Sequence, residues 1–403
     1  MILLKAAVIG LQWGDEGKGK VVTYLSRRYD CVVRYSGGSN AGHTVDYGNF
    51  KMVHHLLPSA DIKKQKMMYI GPGVVVDLDV LLEEIDQINN LIPESRSLLR
   101  ISKQAHVVIP IYRDLDEKID SSRANQIGTT RRGIGISYAN RAMRCGLRLE
   151  DFETPARAES FLNEISRTWS IKFDVKMILD SLIEKYNKIR DLLIDSSEAV
   201  RVLKEKDLLF EGTQGVLLDV DMGTYPYVTS TNCSTTGIQP GFGYPVQVDK
   251  IFGVMKAYTT RVGEGPFPTE LKDEVGENLR RLGSEYGATT RRPRRCGWLD
   301  LVLIKYAIET SACNALIMTK ADILSGFEKI PICMGYKIGG KFYTQINNTA
   351  HLTEIEPVYE EIKGWKSLHS KEFDDFIYKI ERELGLKFAY ISTGPKIEEI
   401  TEL

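Results

Sequence analysis

This sequence is short of the signals that announce metal, membrane or nucleic acid. Its six cysteines, Cys31, Cys145, Cys233, Cys296, Cys313 and Cys333, are scattered, with no C-x-x-C pair and no His/Cys cluster. Neither a zinc site nor a disulfide framework is signalled. No apolar run approaches the ~18 residues that a membrane-spanning helix needs. Net charge is −1, so no global basic field points to nucleic acid, and any anion site must be made by local Arg and Lys. No signal peptide precedes the first apolar run, and a reducing cytoplasm is the expected location. No Pro/Gly/Ser-rich linker or internal repeat divides the chain, which reads as one domain, 1–403, with a helical insertion at about 151–206.

What is present is concentrated first in Gly10-Leu-Gln-Trp-Gly-Asp-Glu-Gly-Lys-Gly-Lys20. An apolar run, Lys5 to Ile9, precedes it and an amphipathic stretch, Val21 to Arg28, follows it. Strand, glycine-rich turn and helix together make a phosphate cradle, with backbone N–H groups and a helix N-terminus facing one anion. The stretch departs from the Walker A pattern, G-x-x-x-x-G-K-[ST]. Gln12 stands where the first Gly belongs, and Gly19 replaces the metal-holding Ser/Thr. Asp15 lies inside the loop, where a carboxylate is repelled by phosphate. It reads as a metal ligand, a base, or both.

A second strand, Cys31 to Tyr35, runs into Ser36-Gly-Gly-Ser-Asn-Ala-Gly-His-Thr44. A βαβ unit sets two such loops side by side at the strand C-termini, so both are expected to face one ligand. His43 there can donate to a phosphoryl oxygen or act as general acid. His54 and His55 sit in an apolar run and read as structural. Met67 to Ile70 reads as a strand, and Asp77 as the cap of a helix from Leu78 to Ile88. Ile127 to Gly135 combines Gly, Thr and Arg, as an anion loop or a surface turn does. Residues 151–206 read as helical, with Asp174 as a cap.

Asp207 to Glu211 reads as a strand entering Gly212-Thr-Gln-Gly215, and Phe252 to Tyr258 as another. Residues 287–298 hold four arginines in five positions. They read as a surface patch or as bidentate guanidinium recognition of carboxylate or phosphate, the second being favoured in a chain of no net positive charge. Ala315 to Met318 is a strand leading into Thr319-Lys-Ala-Asp322, similar to the N-K-x-D element that reads guanine. A last strand, Lys387 to Ile391, opens into Ser392-Thr-Gly-Pro395. The alternation points to an α/β fold: a mostly parallel central sheet with a P-loop-like phosphate loop, flanking helices and helical insertions.

Gln12 to Lys20 with Asn40-Ala-Gly-His-Thr44 resembles the adenylosuccinate synthetase family. So do Gly223-Thr-Tyr-Pro-Tyr-Val-Thr-Ser230, Arg261-Val-Gly-Glu-Gly-Pro-Phe-Pro-Thr-Glu270 and the arginine loop ending in Gly297-Trp-Leu-Asp300. The resemblance spans nearly the whole chain. It implies a C–N ligase that joins L-aspartate to IMP, uses GTP, passes through 6-phosphoryl-IMP and releases GDP and phosphate.

By that resemblance, Asp15 removes the N1 proton of IMP and binds Mg2+ together with the Gly42 carbonyl. His43 acts as general acid, Lys18 neutralises phosphate oxygens, and Gln214 completes the catalytic set. GTP lies against Gly14, Asp15, Glu16, Gly17, Lys18, Gly19 and Lys20, and against Gly42, His43, Thr44 and Arg294. Its base is read by Lys320, Ala321 and Asp322 with Ser392, Thr393 and Gly394. IMP meets Asp15 to Lys18 and the loop Asn40, Ala41, Gly42 and His43. It also meets Thr130, Gln214, Thr229 and Arg292, and Arg144 comes from the second subunit of a homodimer. Aspartate meets Ala288, Thr289, Thr290, Arg291, Arg292, Pro293 and Arg294. No nucleic acid or membrane partner is implied. Two departures stand out: Arg131 and Arg291 occupy positions where the family usually has Gly. If either position needs positive φ, arginine there is strained.

Overall fold

The computed structural model describes residues 3–287 and 292–403. Apolar runs bounded by glycine or polar residues form strands that are mostly buried, apart from the short, largely exposed edge strand Ile400–Glu402. They are β1 (Lys5–Gly10), β2 (Cys31–Arg34), β3 (Met67–Ile70), β4 (Leu99–Ser102) and β5 (Leu193–Ile194). They continue with β6 (Leu208–Glu211), β7 (Lys250–Lys256), β8 (Ala315–Thr319), β9 (Phe388–Ser392) and β10 (Ile400–Glu402). The ten form one sheet in the order β10-β9-β8-β7-β1-β6-β2-β3-β4-β5. Every pairing is parallel except β9 with β10. The α/β class expected from the sequence is the fold observed. Because the strands run one way, the loops after β1, β2, β6, β7, β8 and β9 all leave from one edge of the sheet.

One expectation is corrected here. The loops after β1 and β2 are not side by side, because β6 pairs with both strands and lies between them. A βαβ unit sets the handedness of its crossover but not which later strand fills the gap. The loop 212–215 therefore enters the middle of the site.

Helices α1 (Lys18–Ser26) and α2 (Leu78–Leu91) follow β1 and precede β4. Asp77 caps α2 as expected, accepting from Asp79 N at 3.2 Å and Val80 N at 3.4 Å. Next come α3 (Ile111–Ser122), α4 (Ile134–Met143), α5 (Pro155–Thr168), α6 (Val175–Asn187) and α7 (Ser196–Leu203). Asp174 caps α6 through Met177 N at 2.9 Å, and Ile178, Leu179, Leu182 and Tyr186 form its buried stripe. The 151–206 region is largely helical, yet it also supplies β5, the edge strand of the central sheet. Two residues are too few to show a strand period.

A smaller sheet of Leu299–Asp300, Lys329–Ile338, Lys341–Tyr343 and Glu356–Lys363 lies C-terminal to the arginine loop. Its junction with the following helix, Leu301–Ser311, is Asp300, 2% exposed. That carboxylate accepts from Val302 N at 3.1 Å, Leu303 N at 3.2 Å and Tyr336 Oη at 2.6 Å. Burial pushes its pKa up to about 6 despite those three donors. Asp300→Ala removes a cap and leaves the buried Tyr336 hydroxyl unpaired. The expected loss is about 3 kcal/mol, read as a lower thermal midpoint.

Candidate active site

The phosphate loop is held open from within. Glu16 is fully buried and its carboxylate turns inward, accepting from Gln12 N at 3.1 Å and Gly14 N at 2.9 Å. The same carboxylate pairs with Lys18 Nζ at 2.6 Å, and neither side chain is more than 2% exposed. Asp15 sits at the turn with φ 60°. Gly215 lets the neighbouring loop close on it: a Cβ there would lie 2.7 Å from Gly14 N and 2.6 Å from Glu16 Oε1. Gly19 has a similar reason. A Cβ at that position would sit 2.6 Å from His43 Cβ, so the place of the Walker Ser/Thr is taken by the packing of His43 on α1.

His43 opens the short strand His43–Asp46, paired with Lys51–His54. Its Nδ1 is bonded to Glu211 Oε1 at the end of β6, and the ring is 8% exposed. Ser59 completes the set, giving its hydroxyl to Glu211 Oε1 at 2.7 Å and its N–H to Oε2 at 2.8 Å. Burial alone would raise the Glu211 pKa. The charge and hydrogen bond of His43, with Arg34 and Ser59, outweigh it and hold Glu211 at about 2. Burial lowers the pKa of His43 in spite of Glu211. An ionised Glu211 accepting from Nδ1–H fixes the ring and its tautomer, and leaves Nε2 for a ligand. The sequence reading did not single out Glu211. An acidic residue closing an apolar strand was the available signal.

Asp15 Oδ2 lies 2.7 Å from Arg294 Nε as an ion pair. The Nε–H is not aimed at it, and Nε is a buried donor without a hydrogen bond. Arg294 Nη1 bonds Glu285 Oε2 at 2.5 Å, and Glu285 is gripped by Lys256 Nζ at 3.0 Å and by the Tyr258 hydroxyl. Lys256 and Glu285 are fully buried. Charges of alternating sign thus run Asp15, Arg294, Glu285, Lys256. Lys256 and Glu285 were also missed, since they are distant in sequence and carry no motif.

At the opposite end of the loop cluster, Lys20 does not face open solvent. Its Nζ donates to Ser392 Oγ at 2.9 Å, to the Gly394 carbonyl and to the Glu399 carbonyl at 2.9 Å. Burial lowers its pKa to about 8. Lys20 therefore ties the phosphate loop to Ser392–Gly394. Lys320 Nζ donates to the Gly283 carbonyl at 2.8 Å, and Thr319 Oγ1 to the Glu16 carbonyl at 2.7 Å. Asp322 is half-buried beside Lys320 and Lys20, and burial raises its pKa. Ala321 is buried beneath it. The loops 10–20, 319–322 and 392–394 are thus one bonded unit.

Comparison with known proteins agrees with this geometry. The family model for adenylosuccinate synthetase matches residues 7–401. This chain belongs to the adenylosuccinate synthetase family. It is 51% identical over 403 residues to an adenylosuccinate synthetase of Thermotoga maritima, covering 99% of this chain and all of that one. It is 48% identical to that of Thermosipho africanus over 99% of this chain and all of that one. A solved structure of the fully ligated enzyme from Plasmodium falciparum superposes with TM-score 0.94 at 33% identity, covering 99% of each chain. The chain is a GTP-dependent ligase that joins aspartate to IMP in AMP synthesis.

The remaining motifs shared with the synthetase family are placed as follows. Asp120 on α3 accepts from Ile127 N at 2.9 Å, Gly128 N at 3.1 Å and Thr129 N at 3.2 Å, leaving Thr130 exposed on that loop. Arg292 Nη1 reaches the Gly128 carbonyl at 3.1 Å, so the arginine loop touches the threonine loop. Arg131 does adopt positive φ, 55°, and its guanidinium turns outward to Glu117 at 2.7 Å. Arg261 is buried, with its guanidinium 4.9 Å from the Trp13 ring, and donates to Thr224 Oγ1 at 3.1 Å and the Tyr227 carbonyl at 3.1 Å. It ties the phosphate loop to the segment that carries Thr229. Gln214 is half-buried with φ 49° beside Gly14. Asn40 Oδ1 accepts from Gly38 N at 3.2 Å, Ala41 is buried, and Gly42 is half-exposed. Thr44 is exposed, as is Pro293. Ala288, Thr289, Thr290 and Arg291 lie outside the described residues. Arg144 ends α4 in the left-handed region, φ 66°, and is exposed, with no polar side-chain partner among the described residues.

A depressed Glu211 pKa contributes stability that is fully present above the ordinary 4.5 and is lost as pH falls from there toward 2. The wild-type thermal midpoint is expected to fall across that window. Glu211→Gln should start lower at neutral pH and show a flatter slope there, as calorimetry at stepped pH will read.

Proposed function

We propose a division of labour for the ligation of aspartate to IMP. Asp15 takes the N1 proton of IMP, which makes O6 a competent nucleophile toward the γ-phosphate of GTP. The observation that supports this is a carboxylate inside an anion loop whose close partner, Arg294, is a side chain that a substrate anion can draw away. His43, oriented through Nδ1 by Glu211, donates from Nε2 to the transferring group. Lys18 and the N–H groups of Gly14 to Lys20 bind the phosphates. Gln214, Asn40, Ala41, Thr130, Thr229 and Arg292 hold IMP. The aspartate amine then displaces phosphate from 6-phosphoryl-IMP, its carboxylates held by the arginine loop. Lys320, Ala321 and Asp322 with Ser392 to Gly394 read guanine. Guanine offers N1–H and a 2-amino group to one carboxylate, whereas adenine offers neither in that arrangement.

Asp15 and the Gly42 carbonyl suit Mg2+, a hard cation that takes one or two protein oxygens and completes its shell with phosphate oxygens and water. Asp15 is part-exposed, with 28% of its side chain accessible, so its oxygens are open to such a shell. When bound, Mg2+ supplies charge neutralisation between the phosphates. Arg144 completes the IMP site of a second subunit, supported by its exposure beside Met143, which is 51% exposed. The chain works as one domain in a homodimer in the cytoplasm. Among the described residues no helix is long and apolar enough to cross a membrane.

Asp15→Asn is expected to lower kcat by about 10³-fold or more while GTP binding survives. An ultraviolet assay of purine conversion reads it, and an active variant would remove the proposed base. Equal mixing of Arg144→Ala and Asp15→Asn subunits, each nearly inactive alone, should restore about a quarter of wild-type activity if sites are shared across a dimer. No recovery would count against the shared site.

A further inference from the structure

We propose that Glu84, on α2 and outside the reacting loops, is a positioning residue for the phosphoryl step, acting through the backbone of residues 55–59. The proposal rests on the role given above to His43. Glu84 is 3% exposed. Its carboxylate accepts three successive backbone N–H groups, those of His55, Leu56 at 3.0 Å and Leu57 at 2.9 Å. Three donors converging on one carboxylate make a rigid anion nest, with the anion supplied by the protein itself.

The segment so gripped leads to both halves of the chemistry. It begins where the strand Lys51–His54 ends, and His54 is the cross-strand partner of His43. Two residues after Leu57, Ser59 gives its N–H and its hydroxyl to Glu211, which holds His43 Nδ1. On the way, His55 Nδ1 donates to the Ala41 carbonyl at 2.6 Å, next to Gly42. The Ser59 carbonyl accepts from Thr23 Oγ1 on α1 at 2.9 Å, which fixes the segment against the phosphate helix. Two carboxylates, Glu84 and Glu211, therefore hold one five-residue segment from two elements. The buried Arg34 guanidinium lowers the pKa of both. Burial still pushes Glu84 up to about 7, so its ionised form depends on the three N–H donors. Leu56 and Leu57 are fully buried, so a loosened segment has no solvent to replace those bonds.

The test uses the full-length enzyme. Glu84→Gln keeps the shape but turns an amide N–H₂ toward the N–H groups. It should lower kcat by about tenfold or more with KM for GTP within about twofold of wild type, because the guanine loops are far along the sheet edge. Glu84→Asp, which restores the charge on a shorter stem, should recover part of the loss and serves alone if the glutamine variant does not fold. Ile85→Val, in the core on the same helix, measures what simple destabilisation does. In a His43→Asn background, Glu84→Gln should add little further loss. Wild-type kcat in folded Glu84→Gln, or an equal kcat loss in Ile85→Val, overturns the proposal. Full activity in His43→Asn instead retracts the role of His43 and is read without any change at Glu84.

Discussion

The loop cluster depends on neutralising an acidic side chain, Asp15, inside a glycine-rich turn that follows a strand and opens a helix. Asp15 is neutralised by Arg294, Arg294 by Glu285, and Glu285 by Lys256. A buried unpaired charge costs several kcal/mol, so the buried members Arg294, Glu285 and Lys256 each require a partner of opposite sign. The alternation ends at Lys256, at the tip of β7, where Thr260 Oγ1 takes a further bond at 2.6 Å. The outer end of the series, Asp15, is part-exposed, while Glu285 and Lys256 at its inner end are fully buried.

The parallel sheet supplies the geometry for that arrangement. Its strands end in line, so loops distant in sequence meet with few degrees of freedom. Close packing then does the fine positioning. Gly19 admits His43, and Gly215 admits the phosphate loop. Around these contacts, carboxylates bind backbone: Glu16 holds the phosphate loop, Asp120 the threonine loop and Glu84 the segment after His54. These three loops thus each have an acid behind them that binds their backbone.

Much of the site was legible where function sits in a contiguous stretch. Residues 10–20, 36–44 and 319–322 could be singled out because each is a short contiguous pattern at a strand end, and the fold brings these loops to one edge of the sheet. The same reasoning failed for β6, expected on its own but not between β1 and β2, and for β5, too short to show a period. Nor did it foresee that the Lys20 ammonium bonds Ser392, Gly394 and Glu399, hundreds of residues away. Arg131 resolves the question its position raised. The backbone is left-handed there, and the side chain points away to Glu117.

By itself the sequence determined the strand–loop–helix arrangement, its carboxylate, the strand that runs into Thr319–Asp322 and the family to which they belong, since each is encoded by neighbours a few residues apart. The tertiary structure alone decided which strand lies between β1 and β2 and which acids stand behind the loops. Only the structure shows that Glu211, Glu285, Lys256 and Glu84 stand behind these loops. Their partners are backbone amides or charges tens to hundreds of residues away, and a buried charge is made stable by whatever the fold brings beside it, which no local pattern records.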